Sequence, residues 1–222
     1  MTVSEFVRNT VLLSEGKLES FSTGSTKWLR IVAQGNFFLQ QLARERGVNW
    51  NRYYNPVLSI GTVTATATFA IPSTVRKISQ EEGDTLRITH LNATYSDYTF
   101  IPHDRLKDYT GNYVAKIGAN IKFTTAFTSA SAQFGGSITA PVYTLPTTFS
   151  LDADVLDIDD SNYLVYVVAS DRVKNDVTRK DLRADLIAQA NEALISMKDD
   201  NISQLEEVNR TWNVIGHVSE NW

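Results

Sequence analysis

TVTATATFAIP, residues 62–72, decides how this chain is read. Val63, Ala65, Ala67, Phe69 and Ile71 alternate with Thr62, Thr64, Thr66 and Thr68. A two-residue period sends alternate side chains to opposite faces, so the stretch predicts a half-buried strand. Pro72 ends it, because proline brings no N–H to a ladder. Further strand-like pieces follow at 75–79, 85–91, 95–100, 113–117, 120–127 and 137–144. The punctuation between them is Gly83-Asp84, Pro102, Gly111-Asn112, Gly118 and Gly135-Gly136. The aromatic, turn-rich NWNRYYNPVLSIG at 49–61 leads into this region, which as a whole covers 55–148.

The period on either side is helical. Thr2 and Glu5 have capping-box spacing ahead of Phe6, Val7, Val11 and Leu12 or Leu13, and Gly16 ends a first helix. A second is capped by Thr23 or Ser25. It carries Trp28, Ile31, Val32, Gly35, Phe38, Leu39 and Leu42 along one face, with Gly47 as its stop. Beyond Asp159, Leu164, Val168 and Val173 mark a third helix. Thr178 with Asp181 opens a fourth, whose stripe is Leu182, Leu186, Ala190, Ala193, Leu194 and Met197, with 199–201 as its end. In NRTWNVIGHVSENW, residues 209–222, Trp212, Val214, Gly216 and Val218 return to a two-residue period, which predicts an extended arm. The expected fold class is α+β: a helical bundle with an inserted β-rich module and an extended C-terminal arm. Its parts are N-terminal helices at 1–54, the module at 55–148, C-terminal helices at 149–205 and the arm at 206–222.

Composition bounds the function. With 222 residues, 42% hydrophobic and 21% charged, the chain is expected to be one substantial core or two small ones. No apolar run is long enough to span a bilayer, and MTVSEFVRNT lacks the order of a signal peptide. The absence of cysteine excludes disulfides and thiolate metal sites. Net charge is −4, and the 21 Lys and Arg are scattered among 25 acids, so a module that grips nucleic acid is not expected. A wall along which DNA slides is compatible with that balance.

No catalytic constellation, cofactor site or metal site is expected. His90, His103 and His217 lack ligand spacing, and Gly135-Gly136 reads as a turn. DADVLDIDD, residues 152–160, departs from a calcium loop: Asp157 stands where the Gly is needed and Tyr163 where the Glu is needed. Helix capping by Asp159 and Asp160 accounts for part of it. Trp50, Tyr53 and Tyr54 beside Arg52 read as a seal between packed elements, with a stacking platform as the alternative. That platform, with the 152–160 carboxylates, is what a carbohydrate-binding or hydrolytic protein would use.

The order of elements resembles the head-to-tail adaptor (connector, or head-completion) proteins of tailed bacteriophages. The resemblance rests on the opening amphipathic helix followed by TKWLRIVAQGNFFLQQLARE, on TVTATATFAIPSTVRKI, and on the pair YVAKIGANIKF and FGGSITAPVYTLP. Its last part is the two-helix ending YLVYVVASDRVKNDVTRKDLRADLIAQANEALISMKDDN. It implies a structural virion protein that is not an enzyme. Such a protein forms a ring, usually of twelve copies, under the portal protein, is assembled in the host cytoplasm, and closes the head after genome packaging. It meets tail or nozzle proteins and passes DNA without holding it. Trp212, Val214, Ile215, Val218 and Trp222 are the expected portal contacts, by strand addition to a sheet edge. Arg172, Lys174, Arg179 and Arg183 are candidates for contacts between subunits. Another tail-completion or capsid-associated virion protein is the nearest alternative.

Overall fold

A computed structural model describes residues 1–17, 22–45, 48–80 and 84–218, with side chains up to residue 203. The chain divides into two compact units, Met1–Arg52 with Pro146–Trp222, and Tyr53–Leu145.

The second unit is a curled, mixed sheet of eight strands, a half-barrel with its own core. The strands are β1 (Tyr54–Thr62), β2 (Thr68–Ala70), β3 (Val75–Ile78), β4 (Thr85–Thr89), β5 (Tyr95–Phe100), β6 (Tyr113–Ile117), β7 (Asn120–Phe123) and β8 (Ser137–Thr144). Their order is β1-β8-β4-β5-β6-β7-β2, with β3 also paired to β8. Every pairing is antiparallel except β5 with β6. This overturns the expected fold class: the β region is no small insert on a helical bundle.

Residues 62–72 are not one strand. β1 stops at Thr62, β2 starts at Thr68, and 63–67 form a corner. The Val63 N–H donates to the Gly136 carbonyl at 2.9 Å and its carbonyl accepts from Gly135 at 3.0 Å. Phe123 donates to the Ala67 carbonyl at 2.9 Å, so the corner leaves one neighbour strand for another without stranding its polar groups. This corner dictates the curl. Laid flat, seven strands put the first about 29 Å from the last, at about 4.8 Å per spacing. The six steps from Thr62 to Thr68 reach at most about 22 Å. The sheet therefore rolls until β1 and β2 come within reach.

What it rolls around is apolar. Leu86, Ile88, Val114, Ile121, Phe123 and Ile138 are buried in one cluster. Phe123 packs edge-on against Phe69, Tyr98 and Phe127, with centroids 5.6, 4.8 and 5.0 Å away. Burial pushes the Tyr98 phenol above its ordinary pKa. The β1–β8 register slips between Asn55 and Leu58, beside Pro56 and opposite Pro141, two residues that cannot donate to a ladder. Gly136 fits because a Cβ there would lie 2.6 Å from the Thr89 carbonyl oxygen.

The first unit is helical, with α1 (Val3–Glu15), α2 (Thr26–Ala43), α3 (Ser161–Arg172) and α4 (Lys180–Val218). Thr2 accepts from the Glu5 N–H while Glu5 reaches back to the Thr2 N–H, and Gly16 closes α1 at φ 71°. Ser25 caps α2 and Asp160 caps α3. The expected stop at Gly47 and the Gly83 turn residue lie outside the described residues. α1, α2 and α4 all pack on α3, burying Phe6, Ile31, Leu39, Leu164, Val168 and Leu186. α2 approaches closely because Gly35 has no side chain: the rings of Phe6 and Phe149 occupy the space a Cβ would need. Asn36 fixes Phe149 by two hydrogen bonds, donating to its carbonyl at 2.8 Å and accepting from its N–H at 3.0 Å.

The extended arm is also corrected, because α4 does not end at 199–201 but continues as helix to Val218. Asn201 is a docking residue rather than a stop. Its Oδ1 accepts from the Asn51 N–H at 2.7 Å and its Nδ2 donates to the Asn49 carbonyl at 3.0 Å. Beyond it, Ile202, Leu205, Val208, Trp212 and Ile215 recur every three or four residues, which is a helical period.

Candidate functional site

Carboxylates in the 152–160 stretch are committed to the fold. Asp154 accepts from the N–H groups of Ser150 and Leu151, both at 2.8 Å, and these bonds hold it below the usual carboxylate pKa. Asp157 accepts from the Thr147 N–H at 3.0 Å and from Arg52 at 2.9 Å, while Asp159 pairs with the same guanidinium at 3.0 Å. Burial works against that guanidinium's charge, but the two carboxylates together raise its pKa. Asp152 accepts from the Thr23 hydroxyl and Asp160 from the Asn162 N–H. Among the described residues, no group of three or more His, Cys, Asp or Glu is placed to hold a metal ion. His90 bonds Thr94 and Ser96 at the β4–β5 turn.

Trp50 is not a platform. It is 2% exposed and its indole N–H donates to the Leu42 carbonyl at 3.0 Å. In the other unit, Tyr53 is buried and Tyr54 packs on Tyr143 with centroids 5.2 Å apart. A sugar-binding face built on Trp50 therefore has no accessible ring.

The four cations expected between subunits separate into two places. Arg172 and Arg179 converge on the end of α1. Arg172 pairs with Glu15 at 2.6 Å and donates to the Ser14 hydroxyl at 3.2 Å, and Arg179 donates to the Ser14 carbonyl. Lys27 joins Glu15 at 2.5 Å. Burial pushes the Glu15 carboxyl up, yet the bonds from Lys27 and Arg172 together bring it below its usual 4.5. Cations at a helix C-terminus also meet the negative end of its dipole. Lys174 pairs with Asp171 at 2.7 Å and, with Arg183, lines a shallow concavity floored by Val177, Ala184 and Ile187.

Trp212, Val214, Ile215 and Val218 lie on α4 where only the backbone is described, and Trp222 lies outside the described residues. A helix does not keep residues two apart on one side, so the strand-addition geometry is lost. Two exposed apolar groups were missed by the sequence reading. Leu29 and Phe37 on α2 are 53% and 57% exposed, and Ile195 and Ile202 on α4 are 59% and 54% exposed. Their signal was present as apolar residues lying off the buried stripe.

No family model and no curated protein matches the sequence. The candidate site is accordingly defined by geometry: solvent-facing apolar residues on the two longest helices, each bordered by charge.

Proposed function

We infer that this chain is a structural subunit of the head-to-tail adaptor ring of a tailed phage. In the virion neck it docks under the portal protein, joins it to tail or nozzle proteins and lines the channel through which DNA passes. The observation that carries the reading is α4. It has 39 residues, where the other three helices have 13, 18 and 12. At 1.5 Å per residue it is about 58 Å long. It presents Ile187, Ile195 and Ile202 to solvent, and rows of exposed apolar side chains mark partner surfaces. An apolar helix laid in a partner's groove replaces strand addition as the mode of portal contact, with Trp212, Val214, Ile215, Val218 and Trp222 as the proposed contacts. The half-barrel, with its own core, is a second body available to tail proteins. No catalysis enters; complementary shape and buried area do the work.

The test is capture by purified portal rings of the full-length chain and of a chain ending at Asn209. The shortened chain is expected to lose only the helical signal of residues 210–218, keep its unfolding transition and lose capture. Equal capture of both refutes the reading, and electron microscopy of the captured material is expected to show a closed ring.

A further inference from the structure

Two faces of the helical unit are turned to solvent with opposite charge. On α2 and its C-cap, Arg30, Phe37 and Arg44 recur every seven residues. Seven residues fall about 20° short of two full turns, so the three lie on one line along the helix. All three are exposed, with Leu29 beside them. Thr26–Ala43 contains no acidic residue. On α4, Asp185, Glu192 and Asp199 recur at the same interval and are likewise exposed, with the exposed Ile195 and Ile202 beside them, each three residues beyond an acid. None of these five charged groups makes an ion pair among the described residues. Each line covers the same axial distance, about 21 Å at 1.5 Å per residue.

We propose that the α2 line of one copy docks on the α4 line of a second copy. Phe37 and Leu29 cover Ile195 and Ile202, and the adjoining rows of Arg and of Asp and Glu set partner and register, as flanking charges do in a coiled coil. Single exposed ion pairs are weak, so affinity comes from the apolar strip and selectivity from the matched rows. The two patches differ, which makes the contact heterologous: each copy keeps one face of each kind to offer onward. Closure of the resulting chain into a ring rests on the adaptor reading, whereas the contact itself rests on these two faces.

Sedimentation velocity of the full chain provides the test, with two charge-reversed variants, Arg30→Glu/Arg44→Glu and Asp185→Lys/Asp199→Lys. The wild type is expected to self-associate, less so at high salt. Each variant alone is expected to associate at least about tenfold more weakly, because like charges then face each other. A 1:1 mixture of the two is expected to assemble again, since every acidic face then meets a basic one. Unchanged circular dichroism establishes that both variants fold. A wild type that stays monomeric, a variant that associates like the wild type, or a mixture of folded variants that stays apart overturns the contact. Portal capture separates this from the adaptor reading. Self-assembly without capture sinks only the adaptor; capture with variants assembling normally sinks only the contact.

Discussion

Gly35→Ala sets two effects of known sign against each other. Replacing a glycine inside a helix with alanine normally stabilises it by about 1 kcal/mol through backbone entropy. At this position, however, the new methyl would sit 2.8 Å from Cζ of Phe149 and from both Cε1 and Cζ of Phe6. Favourable carbon contacts lie at about 3.5–4.0 Å. Neither ring can swing away, because Phe6 is fully buried, Phe149 is 3% exposed, and they pack edge to face with centroids 5.7 Å apart. Overpacking a rigid core site costs about 1–3 kcal/mol, and three simultaneous overlaps belong near the top of that range. Net destabilisation of about 1–2 kcal/mol is expected after subtracting the propensity gain. Urea unfolding followed by circular dichroism measures it as a lower midpoint at unchanged slope. The exposed Ala33 on the same helix supplies the calibration, since Ala33→Gly reports the propensity effect alone. A Gly35→Ala variant as stable as wild type, alongside a destabilised Ala33→Gly, would show that the two phenylalanines yield easily and that α2 does not depend on this close approach.

Two other outcomes follow from the packing and the ion pairs. Phe123→Ala empties the centre of the half-barrel's aromatic cluster and is expected to destabilise that unit by about 3–5 kcal/mol, read from its own unfolding transition. Glu15→Gln is expected to destabilise the helical unit at neutral pH. Because the folded pKa of Glu15 is lowered, its contribution is present above the usual 4.5 and disappears as pH falls through the folded value. The gap in midpoint between wild type and variant should therefore close on acidification; a gap independent of pH rejects the network at Ser14, Glu15, Lys27 and Arg172.

Local signals were readable where one element supplies them. The Thr2–Glu5 box, the Gly16 stop and the stripe of α2 are written in adjacent residues, as is the 95–100 strand. What depends on a distant partner was not. The Val/Ala/Thr alternation runs unchanged through 63–67, so it cannot signal that hydrogen bonding passes from Gly135 and Gly136 to Phe123. In the tail, two-residue and 3.6-residue periods coexist over a short window, and the helical one prevails with no proline or glycine between Asn201 and Ile215 to stop it. Asp199, Asp200 and Asn201 read as a terminus until Asn201 is seen holding 49–51. Arg172 and Arg179 looked like surface charge because Ser14 and Glu15 are far away in sequence. The rows at 30–44 and 185–199 are plain in the letters; only burial distinguishes them from core-facing positions.

β8 is the last strand of its unit to leave the ribosome, yet it is an interior strand that joins three others, with β1 on one side and β4 and β3 on the other. Tyr54 must wait for Tyr143, and Arg87 for Thr139, before those ladders can close. Synthesis thus leaves the earlier strands with open edges until nearly the whole unit has been translated. Pairings this remote also slow the search for the native topology. The nascent half-barrel is most exposed to aggregation just before completion, when chaperone protection matters most.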